Sequence, residues 1–61
     1  MRNEYQITVG RYTAEYTVSE ARAKKRYEKL LSYPDEYGST IRLFLNGKLL
    51  QEARRRIKDE R

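Results

Sequence analysis

Residues 4–18 alternate between apolar and polar side chains around a single glycine, and this pattern constrains the fold more than any other feature. Alternation with a period of two is typical of a β-strand with one face exposed to water. Gly10-Arg11 interrupts it, and a two-residue loop that begins with glycine favours a type II′ turn, because glycine adopts positive φ at little cost. The segment is therefore predicted to be a β-hairpin in which Val9 pairs with Tyr12.

This turn sets the register of the hairpin, with Ile7 opposite Ala14, and so predicts a core face and a solvent face. The predicted core face comprises Tyr5, Ile7, Val9, Tyr12, Ala14, Tyr16 and Val18. The predicted solvent face comprises Gln6, Thr8, Arg11, Thr13, Glu15 and Thr17. A shift of one residue would exchange the two faces, so the alternation specifies the register.

A helix is predicted to follow at about 19–32. Thr17 and Ser19 are both candidate N-caps, and the segment from Thr17 to Glu20 matches the capping box. Pro34 ends the helix, because the residue before a proline avoids helical dihedral angles. The apolar residues of this segment recur at a spacing that places them on one helical face: Ala23, Tyr27, Leu30 and Leu31.

Strand signals return at 40–45, and Asn46-Gly47 is the strongest two-residue hairpin signal in the chain. The return strand is predicted to run from Lys48 to about Ala53. The same segment consists of good helix formers, so a second helix is the alternative. The predicted fold class is α+β with the order ββαββ, an antiparallel sheet with one helix on one face, and ββαβα is the alternative. Residues 1–53 form the predicted domain, and 54–61 a basic C-terminal tail or short helix.

The composition argues against several classes of function. The chain has 61 residues with no cysteine and no histidine, so it lacks disulfides, thiolate nucleophiles and the usual acid–base group near neutral pH. The adjacent carboxylates Asp35-Glu36 and Asp59-Glu60 point apart on most backbones and do not form a metal or glycosidase site. No apolar run is long enough to span a bilayer. We therefore predict no enzymatic activity, no cofactor, no metal and no membrane partner, and a cytoplasmic location.

The formal net charge of +5 is concentrated in two segments. Residues 19–33 hold five basic and two acidic side chains, and residues 51–61 hold five basic and three acidic ones. The first candidate basic patch shares one helical face: Arg22, Lys25, Arg26 and Lys29. The second follows the last predicted strand: Arg54, Arg55, Arg56 and Lys58. Both are candidates for binding an anionic partner; the simpler alternatives are a solvated helix face and a solubilising tail.

A second group of candidates forms a predicted partner-binding surface. The simplest Asn-Gly hairpin pairs Phe44 with Leu49 and Leu43 with Leu50, whereas a three-residue turn with a bulge at Gly47 pairs Leu43 with Leu49. Phe44 faces away from Ile41 and Leu43 in both registers, so it lies outside the predicted core. The other candidates are Leu49, Leu50 and Arg42 on the sheet, and Tyr33 and Tyr37 in the loop around Pro34. Exposed apolar surface often marks an interface, and Tyr and Arg are enriched in binding hot spots. The simpler alternatives are that Ile57 covers Phe44 and that the two tyrosines cover the edge of the core.

The sequence thus predicts a small, non-enzymatic binding module: a protein-interaction or inhibitor protein that acts on a larger complex, of the kind that phages and mobile elements encode. Self-association as a homodimer belongs to the same prediction, because a small core with an open sheet edge favours pairing. The alternative is electrostatic, weakly sequence-specific binding of nucleic acid. A third reading is a scaffold without a partner, natural or designed, because clean alternation and good caps satisfy the rules of design.

Overall fold

The computed structural model describes residues 2–58, which form a four-stranded antiparallel sheet with one helix on one face. The elements are β1 (Tyr5–Val9), β2 (Tyr12–Thr17), α1 (Glu20–Ser32), β3 (Thr40–Leu45) and β4 (Lys48–Arg54). The predicted ββαββ order is confirmed, because the segment after Asn46-Gly47 is a strand rather than a second helix. The strands lie in the order β2-β1-β3-β4, so β1 and β3 are central and β2 and β4 are the edges.

Both hairpins turn through the two residues that the sequence indicates. In the first turn φ is 59° at Gly10, and in the second it is 51° at Asn46 and 85° at Gly47. Positive φ at both central residues is the geometry of a type I′ turn, and positive φ at the first residue alone agrees with a type II′ turn. The strand pairs that flank the turns are therefore as expected: Val9 with Tyr12 and Leu45 with Lys48.

A β-bulge in β2 changes the predicted faces of the first hairpin. Ile7 pairs with Glu15 rather than with Ala14, so the residues beyond the bulge exchange faces. Glu15 moves to the helix side and Tyr16 to the outer side, while Tyr12 stays on the helix side but is 70% exposed. Three residues predicted for the core are instead exposed, and those predictions are wrong: Tyr12, Tyr16 and Val18.

A second bulge lies in the other edge strand, at Leu50. Phe44 pairs with Leu49, as predicted for the simplest hairpin, but Leu43 pairs with Gln51 instead of Leu50. Leu50 is consequently half exposed and adds nothing to the buried core. Phe44 does lie on the face away from α1, as the alternation of β3 predicts.

The N-cap of α1 is Ser19, whose hydroxyl accepts the Arg22 N–H at 3.2 Å. The Thr17 hydroxyl supports this cap by accepting the Ser19 N–H at 3.1 Å. This hydrogen bond stands in place of the capping box predicted between Thr17 and Glu20. The helix packs on the inner face of the sheet, and the buried core is Tyr5, Ile7, Val9, Ala23, Tyr27, Ile41 and Leu43. Burial, with a contribution from the Glu52 carboxylate, raises the pKa of Tyr27.

Candidate binding surfaces

The outer face of the sheet carries one row of side chains that crosses all four strands. Strand pairing places Gln6 beside Phe44, with one further residue on each edge strand. The helix covers the opposite face, and the two edge residues are open to solvent: Tyr16 is 70% exposed and Leu49 is 49% exposed. We call this set the outer row: Tyr16, Gln6, Phe44 and Leu49.

A second row on the same face, which we call the polar row, lies beside the outer row: Thr13, Thr8, Arg42 and Glu52. The Gln6 side-chain amide donates to the Thr13 hydroxyl at 2.7 Å, which links the two rows on the first hairpin. On the second hairpin, Arg42 Nε donates to Glu52 Oε1 at 2.8 Å. Arg42 was predicted to belong with Phe44 in a partner-binding surface, and the structure places it next to Phe44 on the outer face, with its charge already paired.

Ile57 does not cover Phe44, so that alternative is wrong. Ile57 forms a parallel bridge with Asp35 and lies against Gly38, just before the start of β3. Phe44 lies near the other end of the same strand. The outer row therefore has no cover from residues 55–58.

The loop between α1 and β3 is tied to the end of β4 through one carboxylate, an arrangement we call the Asp35 clamp (residues 35–39 with 54–58). Asp35 accepts backbone N–H groups from Tyr37 at 3.0 Å and Ser39 at 3.1 Å, and a third from Gly38. It also accepts Arg55 Nη1 at 3.3 Å. Hydrogen bonds from Ser39, together with those from Gly38 and Arg55, hold the pKa of the Asp35 carboxyl well below its usual range.

Two arginines of the second predicted basic patch hold this clamp. Arg54 Nε donates to the Gly38 carbonyl at 2.9 Å, and Arg55 Nε donates to the Leu30 carbonyl at the end of α1 at 2.7 Å. Arg56 contributes its carbonyl, which accepts the Asp35 N–H at 3.1 Å. Arg54 and Arg55 therefore have internal partners, whereas the side chains of Arg56 and Lys58 are exposed. Residues 59–61 of the predicted tail lie outside the described residues.

Neither loop tyrosine lies beside the outer row: Tyr37 is part of the clamp, and Tyr33 is the C-cap of α1, two residues before it. Tyr33 is 50% exposed and Tyr37 is 80% exposed, so the alternative that both rings cover the edge of the core is wrong. The structure does not bring them together with Phe44, because the clamp and the outer row are at opposite ends of β3.

The first predicted basic patch lines an open groove between α1 and β2. The groove has a volume of about 500 Å³, and we call it the α1–β2 groove; its residues are Glu15, Ser19, Ala21, Arg22, Lys25, Arg26 and Lys29. Glu15 lies 3.3 Å from Arg22 and 3.3 Å from Arg26, bridging both guanidinium groups. Sequence reasoning missed Glu15, because regular alternation assigns it to the solvent face and only the bulge turns it toward the helix.

Comparison with known protein families, with curated protein sequences and with solved structures gives no match to this chain. Within residues 2–58, no group of three or more acidic side chains is placed to hold a metal ion. No helix of that same part is long and apolar enough to cross a membrane. The function is therefore inferred from the surfaces themselves.

Proposed function

We propose that the chain is a non-enzymatic protein-binding module whose contact surface is the outer row. The observation that supports this is the strand register, which collects Tyr16, Phe44 and Leu49 in one row on the face without a helix. Apolar side chains collected on an otherwise polar face are typical of protein-interaction sites. The neighbouring polar row supplies hydrogen-bonding groups at the border, as in interfaces with an apolar centre and a polar rim.

The partner we propose is a different protein with an acidic surface. The chain carries a net charge of +5, which disfavours close packing of a second copy and favours association with an anionic molecule. A protein of 61 residues has little volume for an enclosed reaction site, so it acts by occupying a surface of a larger complex. The lack of cysteine supports a reducing compartment, and we place this binding in the cytoplasm.

The experiment is capture from lysate of the native host with the immobilised chain, followed by measurement of the affinity of the captured protein. Phe44→Ala is expected to weaken binding at least tenfold, because an aromatic residue at the centre of an interface commonly contributes about 2 kcal/mol or more. Leu49→Ala is expected to weaken it less. Leu50→Ala is the matched control, because Leu50 is the next residue of β4 with nearly equal exposure, 50% against 49%, but lies outside the outer row.

Three results would contradict the proposal. If Phe44→Ala leaves the affinity intact and only lowers the Tm, Phe44 is a packing residue. Captured material that disappears after nuclease treatment would indicate nucleic acid rather than protein. A dimer in sedimentation experiments that Phe44→Ala dissociates would make the partner a second copy of the chain.

A further inference from the structure

We propose that the α1–β2 groove binds single-stranded nucleic acid, with its cations on the phosphates and the ring of Tyr12 stacked on a base. This function is separate from the protein-binding surface on the outer face and does not depend on it. It is argued from the distribution of charge around α1, from the position of Glu15 and from the exposure of Tyr12.

The charges of α1 are segregated between its two flanks. The charged residues of the flank that lines the groove are all cations: Arg22, Lys25, Arg26 and Lys29. The opposite flank carries Glu20, Lys24 and Glu28, and Lys24 pairs with Glu20 at 3.2 Å. The groove thus combines four basic side chains with one carboxylate, whereas the other flank combines one basic side chain with two carboxylates.

Glu15 orients the guanidinium groups of Arg22 and Arg26 but contacts only the Nε atom of each. Arg22 Nε donates to one Glu15 oxygen, and Arg26 Nε lies at ion-pair distance from the other, each at 3.3 Å. The terminal Nη nitrogens of both arginines have no hydrogen-bond partner among residues 2–58. The Glu15 side chain is only 18% exposed, against 73% for Arg22, so the guanidinium lies nearer to the solvent than the carboxylate. An arginine held in this way presents a planar donor fork that fits a phosphate group.

The cations extend along the groove. Arg22 and Lys29 are separated by seven residues, a rise of about 10 Å along the helix. This length accommodates at least two consecutive phosphates of one strand, each of which carries a full negative charge. Lys25 and Arg26 lie between them, so a strand that follows the helix meets a cation at each turn.

The position of Tyr12 favours a nucleic acid over an acidic peptide as the ligand of the groove. Its pairing with Val9 places it on the helix side of β2, the side on which Glu15 also lies. The ring is 70% exposed on an edge strand, three residues before Glu15, and it is not one of the residues that line the groove. A positively charged groove with an exposed aromatic ring on the same side of the sheet is the combination by which proteins bind single strands without strong sequence preference. A duplex keeps its bases stacked inside and has no free base for Tyr12.

The first experiment measures fluorescence anisotropy of a labelled thymidine oligonucleotide of about 15 nucleotides at about 50 and 200 mM salt. Lys25→Gln and Lys29→Gln are each expected to weaken binding about threefold and to reduce the slope of log K against log salt by about 0.7, the loss of one phosphate contact. Lys24→Gln is the matched control, because it removes the same charge from the opposite flank. Equal losses of affinity for all three variants would overturn the proposal, because the oligonucleotide would then respond only to the net charge of the protein.

The second experiment tests the stacking. Tyr12→Ala is expected to weaken binding of the single strand about fivefold or more, whereas Tyr16→Ala, an equally exposed tyrosine on the other face of β2, leaves it unchanged. A duplex of the same length is expected to bind more weakly and to be insensitive to Tyr12→Ala. Tighter binding of a polyglutamate peptide than of the oligonucleotide would overturn the proposal. The outer-row variant Phe44→Ala should leave oligonucleotide binding intact, so failure here is distinct from failure of the protein-binding function.

Discussion

The two hairpins of the sheet are built alike but are attached to the rest of the protein differently. Each turns through two residues, and each carries one bulge in its edge strand. The first is attached to α1 through the ion pairs of Glu15 with side chains of the helix. The second is attached through the Asp35 clamp, which combines backbone and side-chain hydrogen bonds, several of them partly buried. Local turn signals therefore determine where each hairpin forms, whereas contacts with distant residues determine how it is attached to the rest of the fold.

Truncating one buried isoleucine in each hairpin tests whether both stabilise a single shared core. Ile7 in β1 and Ile41 in β3 are both fully buried, so Ile7→Ala and Ile41→Ala remove the same groups from equivalent surroundings. Each is expected to lower the free energy of unfolding by about 2–5 kcal/mol, measured by urea denaturation. If either variant is unfolded in buffer, the Val variants at the two positions should cost about 1 kcal/mol each. Clearly unequal costs would show that one hairpin contributes little to the core.

Placing a methyl group inside the clamp tests the attachment of the second hairpin. Gly38 has φ of 63°, and an added Cβ would lie 2.9 Å from an Arg54 nitrogen and 3.0 Å from an Ile57 carbon. Gly10 has nearly the same φ, 59°, with open space around it. Gly10→Ala is therefore expected to cost about 1–2 kcal/mol of backbone strain alone, and Gly38→Ala about 1 kcal/mol more. Equal losses of stability for the two variants in thermal unfolding would mean that the clamp accommodates the added methyl group at no cost.

The Asp35 clamp should also make stability depend on acid pH. The folded protein holds the pKa of Asp35 below its unfolded value, so the stabilisation is fully present above about pH 4 and is lost as the pH falls below it. Asp35→Asn is expected to be less stable than the parent at pH 7 and to lose less stability between pH 7 and about pH 3. Urea midpoints at the two pH values measure this. Glu36→Gln, at the exposed neighbouring position, is the control and should follow the parent.

Deleting either bulge residue is expected to have the smallest effect on stability. Removing Ala14 from β2, or Leu50 from β4, leaves every other observed strand pair of that hairpin in place. The free energy of unfolding should therefore change by about 1 kcal/mol or less. The straightened edge should instead favour strand-to-strand association, because bulges protect sheet edges from pairing. Sedimentation at increasing concentration measures this association, and a monomeric deletion variant would contradict it.

The elements that depend on neighbouring residues were predictable from the sequence. Both turns, the start of α1 near Ser19 and its end before Pro34 follow from residues within a few positions of each other. The position of Phe44 on the outer face followed in the same way from the alternation of β3. The cations of α1 were also recognisable, since their spacing alone places them on one flank.

The bulges and the clamp were not predictable, because they arise from contacts between distant residues. Ala14 is an ordinary strand residue in the sequence, and only the joint fit of β2 to β1 and α1 makes it the inserted one. This single insertion reversed the assignments of Tyr16 and Glu15, and with them the composition of both candidate surfaces. Likewise, Asp35 and Arg55 are separated by 20 residues, so the sequence shows two unrelated charges where the structure has one pair.

The strand order has a consequence for how the chain folds. Each hairpin joins residues that are close in sequence, whereas β1 pairs with β3 although most of the chain separates them. At one end of this strand pair, Glu4 and Asn46, which are 42 residues apart, exchange hydrogen bonds of 2.9 and 2.8 Å. Closing so long a loop is entropically costly before its contacts form. We therefore expect the hairpins and the helix to appear early and transiently, and the meeting of β1 with β3 to set the rate at which the native protein forms.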